Sequence, residues 1–184
     1  MTSKKRARIA LVATVVLGLA VGPAMAKKMK KAPIITFATM YGVDGPFVGE
    51  ANPIRDTIGD ELPWVVKGSA KGKVESDGHV KVRIRGLVFT DAPEVPVDKQ
   101  GKNDEDHFRV RVSCLTEVSE TAVATANVTT DGFPATIPGG NAEIDTTVAL
   151  PNPCVAPIVF ILAGSEDKWF AVTGFEAPEA SAAH

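Results

Sequence analysis

The sequence predicts an all-β protein: an antiparallel β-sandwich, Ig-like or jelly-roll-like, of about eight strands behind an N-terminal signal peptide. Three observations predict it. Past residue 32 no helical period is sustained, and apolar and polar residues alternate instead. The alternating runs are short and are divided by clusters of Gly, Pro, Asp and Asn. Two cysteines, Cys114 and Cys154, lie in a chain whose first residues read as an export signal.

That signal has three parts. Lys4-Lys5-Arg6-Ala7-Arg8 is a basic patch, residues 9–22 are an uncharged apolar run, and Ala24-Met25-Ala26 puts small residues where a signal peptidase reads. Cleavage is expected after Ala26. The competing reading is an uncleaved membrane anchor, for which a 14-residue run is short, since a span takes about 20. Lys27, Lys28, Lys30 and Lys31 follow at once and favour the anchor, because positive charge there hinders translocation. Both readings put the body of the chain outside the cytoplasm, secreted or in the cell envelope. Residues 27–32 read as a basic arm, 33–176 as a single β-sandwich domain, and 177–184 as a small, polar, disordered tail.

Cleavage changes the charge. The signal carries off four basic residues and no acid, so 20 basic and 22 acidic residues become 16 and 22, a net of −6. Without the four lysines of the arm the body stands at 12 against 22, a net of −10. An acidic body argues against nucleic acid as the partner, because phosphate neutralisation supplies most of that affinity. No cofactor is expected.

The first strand is expected at 34–40. Trp64-Val65-Val66 opens the next region, and strands follow at 71–75, 79–89, 107–115, 121–129, 142–150, 155–163 and 168–175. One register can be derived closely. Val80, Val82 and Ile84 share an apolar face, with Lys81, Arg83 and Arg85 on the other; Val74 must join the first set, Lys71 and Lys73 the second. A two-residue Asp77-Gly78 loop would put Val74 opposite Lys81 and mix the faces. A three-residue loop, Ser76-Asp77-Gly78, pairs Glu75 with His79, Val74 with Val80 and Lys73 with Lys81, with Gly78 in the left-handed position of a bulged turn.

Residues 157–163 contain no polar side chain. Such a strand is expected at the centre of its sheet, covered on both faces. Cys114 shares an apolar strand face with Phe108, Val110 and Val112, and Cys154 directly precedes the apolar strand. A disulfide between them would tie that strand to the core, contributing about 4 kcal/mol in the chain-entropy treatment. Pro151, Pro153 and Pro157 oppose a helix there. Residues 41–63 and 91–106 are the two long loops, the kind that carry function. In the first, Phe47 and Val48 are expected to plug the end of the fold.

Candidate chemistry is sparse. Ser165 and Lys168 match the S-x-x-K spacing of penicillin-binding enzymes, but S-D-N and K-T-G are missing and the segment reads as a hairpin turn. No G-x-S-x-G elbow accompanies His79 or His107, which read as solvated strand-end imidazoles. Asp98, Asn103, Asp104 and Asp106 offer oxygen ligands, but Lys99 and Lys102 interrupt them and the calcium-loop spacing is absent, so no metal is expected. Asn127-Val128-Thr129 is a glycosylation sequon, relevant only in a host that glycosylates exported asparagines.

The basic residues carry the clearest hint. Lys71, Lys73, Lys81, Arg83 and Arg85 project together if the hairpin register holds, and Arg109 and Arg111 alternate with apolar residues in the same way. Like charges facing across strands are destabilising. Concentrating them in an acidic body therefore suggests a docking surface for an anionic polymer, unless acids such as Glu143 and Asp145 of a neighbouring strand neutralise them. The expected function is a non-catalytic binding or structural module. The alternative is a secreted hydrolase with a site built from the long loops around His107.

Overall fold

The computed structural model describes residues 31–174. The expected signal at 1–26, the first four residues of the arm and the tail at 177–184 lie outside the described residues. The described chain is all-β, with one short 3-10 turn (Gly45–Phe47). Its strands are β1 (Pro33–Phe37), β2 (Tyr41–Gly42), β3 (Ile58–Gly59), β4 (Trp64–Glu75), β5 (His79–Phe89), β6 (His107–Ser119), β7 (Ala122–Thr129), β8 (Phe133–Pro134), β9 (Ala142–Thr147), β10 (Val155–Ala163) and β11 (Lys168–Val172).

Two sheets result. One runs β1-β4-β5-β9; the other runs β2-β11-β10-β6-β7, with β3 added to β11 and β8 to β6. Every pairing is antiparallel except β3 with β11. One sheet is curled into a half-barrel. Val74, Val80, Val82, Ile84 and Ile144 of the first sheet share a single buried cluster with Phe108, Val110, Val112, Leu162 and Phe170 of the second.

The β4–β5 hairpin has the three-residue loop. Val74 faces Val80, Lys73 faces Lys81, and Gly78 takes φ +87°. The structure joins what the sequence divides, since 64–66 and 71–75 are one strand of 12 residues. Pairing continues through a bulge between Val66 and Ser69. It needs glycine there: a Cβ on Gly68 would sit 2.7 Å from the Arg85 carbonyl oxygen, and Gly86 has φ +71°. Strand β9 stops at Thr147, short of residue 150, because Val148 N–H turns to the Gly78 carbonyl and closes the hairpin end.

The apolar strand β10 lies between β11 and β6, and residues 159–163 are fully buried. Its neighbour β11 buries both faces with aromatic rings. Trp169 meets Phe47 and Phe160, while Phe170 stacks on Trp64 and meets Phe108 edge-on. The loop at 41–63 thus covers one face, with Phe47 packed against the core. A Cβ on Gly59 would come 2.0 Å from the Phe47 carbonyl oxygen, so the cover sits directly on the β3 backbone.

Cys114 on β6 and Cys154 ahead of β10 form a disulfide with Cα atoms 5.0 Å apart, 40 residues apart in sequence. Replacing both cysteines with alanine should lower unfolding stability by about 2–4 kcal/mol in denaturant titrations; an unchanged midpoint would contradict a structural role. A Cβ at position 78 would lie 1.9 Å from the Val148 carbonyl oxygen. Gly78→Ala should therefore cost more than about 1 kcal/mol, read in the same titration.

Candidate functional site

Alternation along β4 and β5 sends Val74, Val80, Val82 and Ile84 inward. Lys71, Lys73, Lys81 and Arg83 are left outside and line a shallow depression of about 430 Å³. Antiparallel pairing sets Lys71 opposite Arg83 and Lys73 opposite Lys81. These are like charges on adjacent backbones, which is unfavourable unless something intervenes.

Strand β9 intervenes from the other side. It pairs Lys81 with Asp145 and Arg83 with Glu143. Asp145 lies 2.9 Å from Lys81, and Glu143 lies 2.9 Å from Arg83 and 2.6 Å from Arg85. Lys73 is held by Glu75 at 2.6 Å. Glu143 is pulled below the usual carboxylate range, first by its hydrogen bond to Arg85 and then by the Arg83 charge. Asp145 is lowered by His79 and then Lys81. Lys71 has no ion-pair partner among the described residues. The face therefore sets five cations against Glu75, Glu143 and Asp145, and its uncompensated charge lies toward β4.

Arg109 and Arg111 do not join this face. They stand on β6 in the other sheet and share Asp167, at 3.1 and 3.0 Å. Arg109 also donates to the Ala163 carbonyl, and Arg111, which is buried, donates to Thr129 and Thr57. Local alternation is the same on both strands; the difference is that β6 neighbours supply acceptors that use up the guanidinium donors.

The loop candidates resolve differently. His107 Nδ1 lies 2.9 Å from Asp106, while Ser165 donates to Glu105 rather than to an imidazole. The Ser165 and Lys168 pair is not assembled either, since Lys168 binds Glu61 and Glu166. Asp98, Asn103, Asp104 and Asp106 do not converge. Asp104 pairs with Lys99, and the buried Asn103 amide donates to the carbonyls of Glu105 and Thr136.

Sequence reasoning missed a different group, in which the carboxylates of Asp60, Glu61 and Glu166 approach within 4.8 Å of one another. The Lys168 ammonium pairs with two of them, Glu61 and Glu166. Asp60 is buried and accepts a 2.6 Å hydrogen bond from Trp64 Nε1. That indole lies between Phe89 and Phe170, with ring centroids 4.0 and 3.9 Å away. The only sequence signal was an Asp-Glu pair close to a tryptophan in a long loop.

Compared with known proteins, the chain matches no protein-family model, no curated protein and no solved structure.

Burial pushes the Asp60 carboxyl up from 3.8 to about 6, outweighing the Trp64 hydrogen bond. A carboxyl that titrates higher folded than unfolded favours the fold below the unfolded value. That stabilisation is lost as pH rises through the folded value. Asp60→Asn keeps an acceptor for Trp64 and removes the buried charge. It should raise stability at pH 7 by about 2 kcal/mol and leave it nearly unchanged at pH 3.5. Denaturant titrations at the two pH values check this; an equal effect at both would contradict it.

Proposed function

We propose that this chain is an exported, non-catalytic β-sandwich module that binds an anionic polymer, outside the cell or in its envelope, on the outer face of the four-stranded sheet. The observation that carries the reading is the charge arrangement on β4 and β5. Five cations stand on two adjacent strands against three carboxylates, and Lys71, opposite Arg83, has no described partner. Glu143 and Asp145 already relieve part of the repulsion between like charges on this face, and the surplus left around Lys71 is what a polyanion laid across the face would meet.

Several observations support the rest of the reading. The Cys114–Cys154 bridge is chemistry of an oxidising compartment, which agrees with the signal read at 1–26. No helix among the described residues is long and apolar enough to cross a membrane. The two sheets contribute to one buried cluster, as the layers of a sandwich do. For the hydrolase alternative, the histidine at issue, His107, has its Nδ1 2.9 Å from Asp106, and Ser165 donates to Glu105.

Charge reversal at Lys71 and Arg83 together should weaken binding to dextran sulfate at least about tenfold in low salt. The difference should shrink as salt rises. Affinity chromatography and calorimetry of native and variant chains read this directly. Equal retention of the two would remove the proposal.

A further inference from the structure

His79 opens β5 at the rim of the charged face, and both of its ring nitrogens meet carboxylates. Nδ1 lies 3.1 Å from Glu75 Oε2, and Nε2 lies 2.7 Å from Asp145 Oδ1. The same carboxylates hold the two lysines of the face: Glu75 Oε1 is 2.6 Å from Lys73, and Asp145 Oδ2 is 2.9 Å from Lys81. The result is one chain of contacts, Lys73–Glu75–His79–Asp145–Lys81, reaching from the end of β4 to β9.

A neutral imidazole has one N–H and one lone pair, so it can satisfy one carboxylate and must turn its lone pair toward the other. Only the imidazolium donates to both. Protonation thus adds a sixth cation to the face and offsets the negative charge of the two carboxylates that also hold Lys73 and Lys81. Both effects favour an anionic ligand. We propose that His79 is a pH-responsive clasp on this face, tightening its hold on an anionic polymer as the medium acidifies and loosening it as the medium turns alkaline. The inference rests on the anion-binding reading above.

The surroundings of His79 are all charged in ways that matter. From β4 come Glu75 and, through it, Lys73. The hairpin loop supplies Asp77, whose carboxylate accepts the His79 backbone N–H. Lys31, ahead of β1, pairs with Asp77 at 3.0 Å and reaches Glu75 at 3.9 Å. From β9 comes Asp145, with Lys81 of the histidine's own strand beyond it. Asp145 first, then Glu75, raise the imidazole above its ordinary 6.5. The side chain is 25% exposed, so protons reach it freely.

The test uses the full chain with dextran sulfate as probe, at constant ionic strength, at pH 6 and pH 8.5. The native chain should bind about fivefold more tightly at pH 6. His79→Gln should bind equally at both, and His107→Gln should behave like the native chain. Linkage gives a second arm that needs no variant: the polymer must raise the midpoint of the His79 NMR titration by about 0.7 pH unit, the same fivefold. The same pH ratio in native and His79→Gln chains, or a midpoint that the polymer does not move, would overturn the clasp while leaving the anion site in place. No binding at either pH would remove the anion site itself, and the clasp with it.

Discussion

A single backbone register, Val74 opposite Val80, decides which side of the four-stranded sheet is charged. Side chains alternate with a period of two, so a slip of one residue would carry Lys71, Lys73, Lys81 and Arg83 toward the core. The turn holds the register in place. Gly78 takes a left-handed conformation, and the backbone of Val148 packs on it so closely that no side chain fits. The same turn places His79 between Glu75 and Asp145. The charged face and its imidazole are therefore two consequences of one three-residue loop.

A second constraint governs the other sheet. Strand β11 puts Trp169 on one face and Phe170 on the other, and both are buried. A strand apolar on both sides needs two covers. One is the opposing sheet, which contributes Trp64 to the Phe170 stack. The other is the loop at 41–63, which lays Phe47 over Trp169. Recruiting that loop draws Asp60 into the interior, where its charge is unfavourable even beside an indole donor. The long loop thus serves packing first, and its acidic cluster is closed by Lys168 from β11 itself.

The electrostatics of the charged face follow from strand order. Had β9 lain elsewhere, five cations would stand with only Glu75 among them. Placed beside β5, β9 neutralises Lys81, Arg83 and Arg85 and leaves the surplus near Lys71. The face is consequently a graded surface rather than a uniformly basic one.

Much of the fold was legible from local pattern. The hairpin register, the left-handed Gly78 and the central, doubly covered β10 follow from alternation and turn chemistry, which act between residues close in sequence. The pairing of Cys114 with Cys154 followed from their being the only two cysteines of a chain read as exported. Other features needed the tertiary structure. Arg109 and Arg111 show the same alternation as Arg83 and Arg85, yet Asp167, Thr57 and Thr129 occupy them in the other sheet. Lys168 reaches Glu61 across 107 residues of sequence, and no local rule anticipates such a meeting. The sequence by itself determined which residues share a strand face, because that is set by backbone period. Which faces meet, and which charges survive the meeting, was decided only by packing, because the energy of a charge depends on the neighbours that folding brings to it.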